Sequence, residues 1–550
     1  MYYFSKRLFL MAYVFGILIS GCGQSHDSQS KAIEPPKNAG VMRIPLKYPV
    51  STVDPGLTFT TRSIELVEQL FLGLTDFNPK TYEAVPELAT QWQMSEDDTV
   101  YTFQLRQDVK WTNGSPVTAH DIVWAIQRNL APETQSRSAN TLFVLKNANA
   151  IHKGDQALPL GVRAIDDYTV EFTLEHAVGY FPALVSMWTY RPLPRQIIEK
   201  QGEKWTEPAY IQTNGSYHLT DWDKGKKLIL QKNPHYYEAN KVKIPAIHYL
   251  IIPDDVLGLA MYEKNKLDII GGEYLPLPKM EIPRISTDAQ LRREVHHSRQ
   301  FCTEWYGFNT QKPPMDNPLV RKAIAAAIDR QTLDDFIMWG INTSATTFTS
   351  PPIFGSVDPD EQVGIPFDPE QASAWLKEAG YPDGKEFPKD VVLMHHVSED
   401  FSDMAKATKI MLKYYLNIEI EVSDGGLDFG HYLGKINQPT TPHIFRMAWC
   451  ADYPDANNWL YEVFHPTQGI NWIGWDNPEF ADVVEKAQRS SNQAERKQLY
   501  RRAEEILTQE EAAIVPIYFS NRRFLVKPWV KGWYNMAFGG QHIRDWYLED

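Results

Sequence analysis

Along the first half of the chain the apolar positions come in short runs bounded by turn pairs, and along the second half they recur at helical spacing. Residues 101–105, 168–174 and 227–230 read as strands, punctuated by Asn113-Gly114 and Asn214-Gly215, dipeptides suited to tight hairpin turns. Sheets are expected to dominate there. One helix enters at Thr118, where Asp121 stands three positions on, as in a capping box, and Ile122, Ala125, Ile126 and Leu130 share a face. Farther along, Asn317-Pro318 sets a cap and a first-turn proline ahead of Leu319, Val320, Ala323, Ile324, Ala327 and Ile328, all on one side of a helix. Asp368-Pro369 repeats the device, and Gly380 ends the helix it starts. Residues 391–394, 401–416 and 418–422 read as strand, helix and strand, a βαβ unit that makes the later half an α/β lobe.

The first residues follow a different pattern. Lys6-Arg7 precede a mostly apolar run over 8–19, and Leu18-Ile19-Ser20-Gly21-Cys22 closes it. This resembles a bacterial lipoprotein signal, in which the cysteine is lipidated on its thiol and becomes the new N-terminus. Residues 1–21 are then a signal peptide and Cys22 the lipidation site. The alternative, a transmembrane anchor, needs roughly 20 apolar residues, more than this run offers. Residues 22–40 are polar, contain Pro35-Pro36 and lack any apolar period, as expected of a flexible tether. The body is therefore expected outside the cytoplasm, in the periplasm or on the outer face of the cell membrane.

About 510 residues remain after the tether, too many for one core, so two or three lobes are expected. The formal charge is −14, and losing Lys6 and Arg7 with the signal makes it −16, which argues against a nucleic-acid partner. Aromatic residues are plentiful (16 Trp, 27 Tyr, 25 Phe), a usage that suits a cavity for varied organic ligands as well as a large core. Only Cys302 and Cys450 remain in the body, and in an oxidising compartment such a pair reads as one disulfide, with two buried thiols as the alternative.

Motifs of catalysis are missing: there is no G-x-S-x-G elbow, H-E-x-x-H pair, Walker loop or dinucleotide fingerprint, and the expectation is neither an enzyme nor a cofactor binder. His296-His297 and His395-His396 do not suggest a metal, since adjacent histidines on a strand point to opposite faces; they read as surface residues. Asp97-Asp98 and Asp254-Asp255 read as solvated turns.

Several separated blocks carry a family resemblance. They are Tyr101-x-Phe103-x-Leu105-Arg106-x-Asp108-x-x-Trp111-x-x-Gly114, Pro116-Val117-Thr118-Ala119-x-Asp121, Lys204-Trp205-Thr206-x-Pro208, Thr213-Asn214-Gly215-x-Tyr217, Gln311-Lys312-Pro313-Pro314 and Arg446-x-x-Trp449-Cys450-Ala451-Asp452-Tyr453. Taken in this order, with the two cysteines, they resemble the extracellular solute-binding proteins of family 5, and within it the oligopeptide-binding branch that serves ABC importers.

That resemblance implies a type II periplasmic-binding-protein-like α/β fold, with two lobes, a hinge and three domains. Domain I takes residues 41–77, 202–301 and 525–550, an inserted domain II takes 78–201, and domain III takes 302–524. A bridge between Cys302 and Cys450 would stiffen the lobe that carries Asp452. The lobes close on an extended peptide held by its backbone. Asp452 is the implied anchor of the free α-amino group, a turn residue being the alternative. Trp449, Cys450, Ala451, Tyr453, Thr60, Thr61 and Trp305 complete the implied contacts. Arg446 matches a position that meets the peptide carboxylate, with a structural salt bridge as the alternative, and Lys435 lies only near another. Phe429 falls where an indole lines the family's pocket. Ser138 and Gly271 replace tyrosines and Gly307 a glutamate, so the pocket is partly rebuilt.

The implied partners are short peptides, the transmembrane subunits of an ABC permease with their cytoplasmic ATPases, and a membrane reached through the lipid; the protein itself is expected to be a monomer. A sensory or adhesive peptide-binding lipoprotein, and a binder of murein peptide or another small solute, are the competing readings.

Overall fold

The computed structural model describes residues 40–155, 157–438 and 440–549, so the signal, Cys22 and nearly all of the tether lie outside the described residues. The strand Val41–Leu46 lies parallel to Ala246–Ile251, which pairs antiparallel with Lys227–Lys232 and through it with Tyr217–Asp223. Met42, Ile44, Leu228, Leu230, Ile247 and Tyr249 turn inward from this sheet at the two-residue period of a strand. A second four-stranded sheet, wholly antiparallel, runs Ala89–Met94, Val100–Leu105, Thr169–Thr173, Val162–Asp166. Both sheets feed one continuous hydrophobic core, which makes them one lobe. The helix entered at Thr118 spans Ala119–Leu130, and the Asp121 carboxylate accepts from the Thr118 backbone N–H and hydroxyl, as the capping pattern predicts.

The second lobe is built on a seven-stranded mixed sheet. Its two longest strands, Val295–Phe308 and Ile514–Val526, run antiparallel from beside the first lobe into the heart of the second, with Val295 opposite Leu525 at one end and Gly307 opposite Ile514 at the other. Between Arg299 and Thr303 their register slips, and there the strand passes from half-exposed to buried. A bulge of this kind bends a strand pair, so the chain crosses between the lobes where the ladder is weakest. On the far side of Val295–Phe308 lies Ile444–Cys450, with Cys302 directly opposite Cys450 and the two joined in a disulfide.

The βαβ reading holds: Val392–Met394 and Glu421–Ser423 pair in parallel across the helix Glu399–Leu416. The Asn317 cap starts a helix over Pro318–Ala326, and the Asp368 cap one over Pro369–Glu378, with Gly380 in the left-handed region beyond it. The apolar period through Ile328 overran the first of these helices. Asp329 accepts from Thr332 N–H and caps a new helix, Arg330–Ile337, while Ala327 and Ile328 remain buried at the junction. His395 is buried rather than on the surface, its Nδ1 bonded to the His396 carbonyl. Among the described residues no helix is long and apolar enough to cross a membrane.

Candidate functional site

A cavity of about 280 Å³ lies where the lobes face each other. The first lobe contributes Phe59, Thr61, Ile64, Ser138, Trp188 and Glu273, the crossing strands Gln300, Phe301, Cys302 and Arg522, and the second lobe Cys450, Ala451 and Asp452. The remaining wall is the chain's C-terminal return, Asn535 to Gly539 and Gln541.

Local chemistry fixes each wall. Asp54, buried, accepts from Gly56 N–H, from both terminal nitrogens of Arg128 and from the Trp205 indole, and so pins the loop that leads to the cavity. Thr60 then caps the helix Thr61–Leu70 by accepting from Ser63 N–H, which leaves Thr61 facing the cavity at the first helical position. On the opposite lobe, the strand Ile444–Cys450 delivers Ala451 and Asp452 at its end, and the disulfide ties that end to Cys302.

Asp452 is partly buried and makes no ion pair with a basic residue among the described residues. Its backbone N–H donates to Asn458 Oδ1 at 2.9 Å; Asn458 Nδ2 returns a long bond to Asp452 Oδ2 at 3.4 Å and a shorter one to Glu462 Oε2 at 2.8 Å. Burial raises the pKa of Asp452, and the Asn458 bond partly offsets it. Glu462 is pushed up to about 7, first by burial and then by the charges of Asp452 and Asp455, against hydrogen bonds from Tyr453 and Asn458. Asp452 is thus the one of these carboxylates on the cavity wall, with Glu462 and the Arg496-paired Asp455 behind it and no basic partner of its own among the described residues, an arrangement that suits an incoming ammonium.

Contacts between the lobes surround this site. Tyr180 of the first lobe stacks on Tyr453 of the second, ring centroids 5.1 Å apart, and Asn457 Nδ2 donates to both hydroxyls at 3.0 and 2.9 Å. Elsewhere Lys279 pairs with Asp400 across the gap.

Of the residues expected at the site, Thr61, Cys450, Ala451 and Asp452 meet in the cavity, together with Ser138 at the rebuilt position. Others go elsewhere. Trp305 is 0% exposed and packs against Phe348, Phe445 and Phe464 in the core, because its position on the central strand points away from the cleft. Phe429 is 47% exposed on the helix Phe429–Ile436, edge-on to His396. Arg446 is 7% exposed and commits its Nε and a terminal nitrogen to the two carboxylate oxygens of Glu304, the salt-bridge alternative. Trp449 leans on Trp472, Tyr453 serves the contact between lobes, Thr60 is the helix cap, and Lys435 donates to the Thr440 hydroxyl. Glu273, Gln300 and Arg522 were not anticipated, since no spacing links them; the crossing strands bring them together.

The comparisons with known proteins agree with this architecture. The profile of the bacterial extracellular solute-binding proteins, family 5, matches residues 83–471. The periplasmic oligopeptide-binding protein OppA of Escherichia coli strain K12 is 32% identical over 498 residues, 88% of each chain. Among solved structures, the unliganded open form of the murein tripeptide binding protein MppA superposes with a TM-score of 0.79 at 29% identity, covering 92% of this chain and 97% of that one. The Haemophilus influenzae OppA complex with the peptide RPPGFSPFR gives 0.71 at 27% identity, covering 92% and 99%.

Proposed function

Because the chain belongs to the bacterial extracellular solute-binding proteins of family 5, we propose that it is the substrate-binding protein of a peptide ABC importer. It binds short peptides between its lobes and hands them to the permease subunits, whose cytoplasmic ATPases drive uptake; it is a receptor and not an enzyme. The observation that carries this reading is Asp452, a partly buried carboxylate without a cation partner among the described residues, held at the wall of a cavity between two lobes. A relative with bound peptide supports it. In this reading Cys22 carries a lipid and the body works as a monomer, with the inserted domain at 78–201 and the hinge at the crossing strands. Ligand that grips both lobes favours the closed form, and only that differential affinity can signal occupancy to the permease.

Native mass spectrometry of the body from Val41 onward tests it. We expect retained masses that fragment as short peptides; one fixed murein tripeptide would narrow the reading to that ligand. A single non-peptide mass, or a protein that stays empty when offered mixed tri- to pentapeptides, overturns it.

The Asp452 neighbourhood also sets a pH dependence. As pH rises through about 7, Glu462 loses its proton and adds a negative charge beside the ammonium site. Affinity for a free-amine peptide should therefore rise from pH 6 toward 8 and fall once the peptide's own amine, with a pKa of about 7.7–8.0, deprotonates. Glu462→Gln should flatten the acidic limb and leave the alkaline one. An unchanged acidic limb in the variant removes Glu462 from the site's electrostatics.

A further inference from the structure

The arginine of the Arg446-x-x-Trp449 block is not free to meet a ligand. Its guanidinium is buried against Glu304, over the Phe401 ring, and leaving would strand a buried carboxylate. Arg522 differs. It sits on the crossing strand Ile514–Val526, opposite Ser298, and lines the same cavity as Asp452. Its Nε is buried without a hydrogen-bond partner, and among the described residues its guanidinium forms neither a hydrogen bond nor an ion pair. Glu273, on the same cavity, acts on it only through space, and the Glu273 carboxylate accepts instead from Gln541 Nε2 at 3.1 Å. The other deeply buried arginines differ in having guanidinium bonds to the protein: Arg191, whose Nε is also unpartnered, bonds through its terminal nitrogens, and Arg321, Arg330 and Arg496 each donate to carbonyl or carboxylate oxygens. A partly buried guanidinium left without an acceptor on the wall of a ligand cavity is an anion site in waiting, and its planar fork matches a carboxylate.

We propose that Arg522 anchors a carboxylate of the ligand, so that one cavity reads both charges of a zwitterion, the ammonium at Asp452 and the carboxylate at Arg522. This rests on the peptide-receptor reading and adds to it a preference for ligands with a free carboxylate. The carboxylate comes from the peptide's C-terminus or from an acidic side chain.

Calorimetric titration of tri-alanine, its C-terminal amide and Ala-Ala-Asp amide separates these cases. Wild-type protein should bind the amide at least about tenfold more weakly than the acid, the scale of a charge-assisted pair. Arg522→Gln should lose about that factor for the acid and less than about twofold for the amide, with Arg522→Lys recovering part of it. Because the guanidinium makes no hydrogen bond among the described residues, thermal unfolding of the variant should stay close to wild type, and its nearly unchanged affinity for the amide is the internal control of folding. Recovery of affinity by Ala-Ala-Asp amide assigns the site to acidic side chains; no recovery assigns it to the terminus. Equal binding of acid and amide by wild type, or equal losses for both on Arg522→Gln, overturns the Arg522 proposal while peptide binding stands. Failure of all three peptides to bind wild type overturns the peptide reading and this proposal together.

Discussion

Replacing Asp452 by asparagine is expected to weaken binding of a free-amine peptide by two to three orders of magnitude and to leave the unliganded fold intact. The size follows from the pair that is broken: a partly buried carboxylate and an ammonium removed from water depend on each other, and deleting one member of such a pair costs about 3–5 kcal/mol. The fold is spared because the amide keeps the shape of the acid and because Asp452 supports little of the structure through its side chain. That side chain accepts one long bond from Asn458, while the backbone N–H that fixes the turn is unaltered. The unliganded variant should even be slightly more stable, since a charge that burial disfavours has gone from beside Glu462 and Asp455. Acetylating the peptide's amine supplies the matching half of the experiment. Wild-type protein should lose on acetylation about what the variant loses outright, and the variant should bind both peptides alike. A variant that keeps its affinity within about threefold would move the ammonium site away from Asp452.

The parts of this fold that were legible in the sequence are those set by local chemistry. Asn317-Pro318 and Asp368-Pro369 mark helix starts because a capping side chain and a proline satisfy the first turn wherever it lies. The βαβ unit was legible for the same reason, its period changing from two to helical and back within one stretch. The limit of that approach shows at Ala327 and Ile328, whose apolar character comes from burial at a junction between two helices and not from a continuing one.

The site was legible only in part. Asp452 and Cys450 belong to a contiguous block, so their neighbourhood travels with them. Trp305, Phe429 and Arg446 fail because a residue type and a matched position do not say which face of an element meets the cleft: Trp305 turns into the core, Phe429 stands exposed on its helix, and Arg446 finds Glu304 on the paired strand, opposite Ala448 in register. Glu273 and Arg522 come from distant stretches that meet only because two long strands cross between the lobes. Their partners are set by tertiary structure, and no local period records it.

Removing the disulfide, by a Cys302→Ala and Cys450→Ala double substitution, should produce the largest change in stability. The bond closes a loop over a sequence separation of 148, which in the chain-entropy picture restricts the unfolded chain by about 5 kcal/mol; 2–5 kcal/mol is the usual observed loss. The effect should fall on the second lobe, where both cysteines lie on paired strands, and scanning calorimetry should show that lobe's transition moving to lower temperature while the first lobe's stays. A single transition that shifts as a whole would mean the lobes unfold together. Affinity is the more informative reading. The ladder between the two strands continues from Cys302–Cys450 to Phe308–Ile444, so the native strands hold without the bond, but the bond lies at the end that carries Ala451 and Asp452. If the disulfide fixes that end, the variant should bind a free-amine peptide several-fold more weakly, and the loss should vanish in the Asp452→Asn background, because the two changes act on one contact. If the bond acts only on the unfolded chain, stability falls and affinity does not move, and the anchor then owes its position to the Asn458 bonds alone.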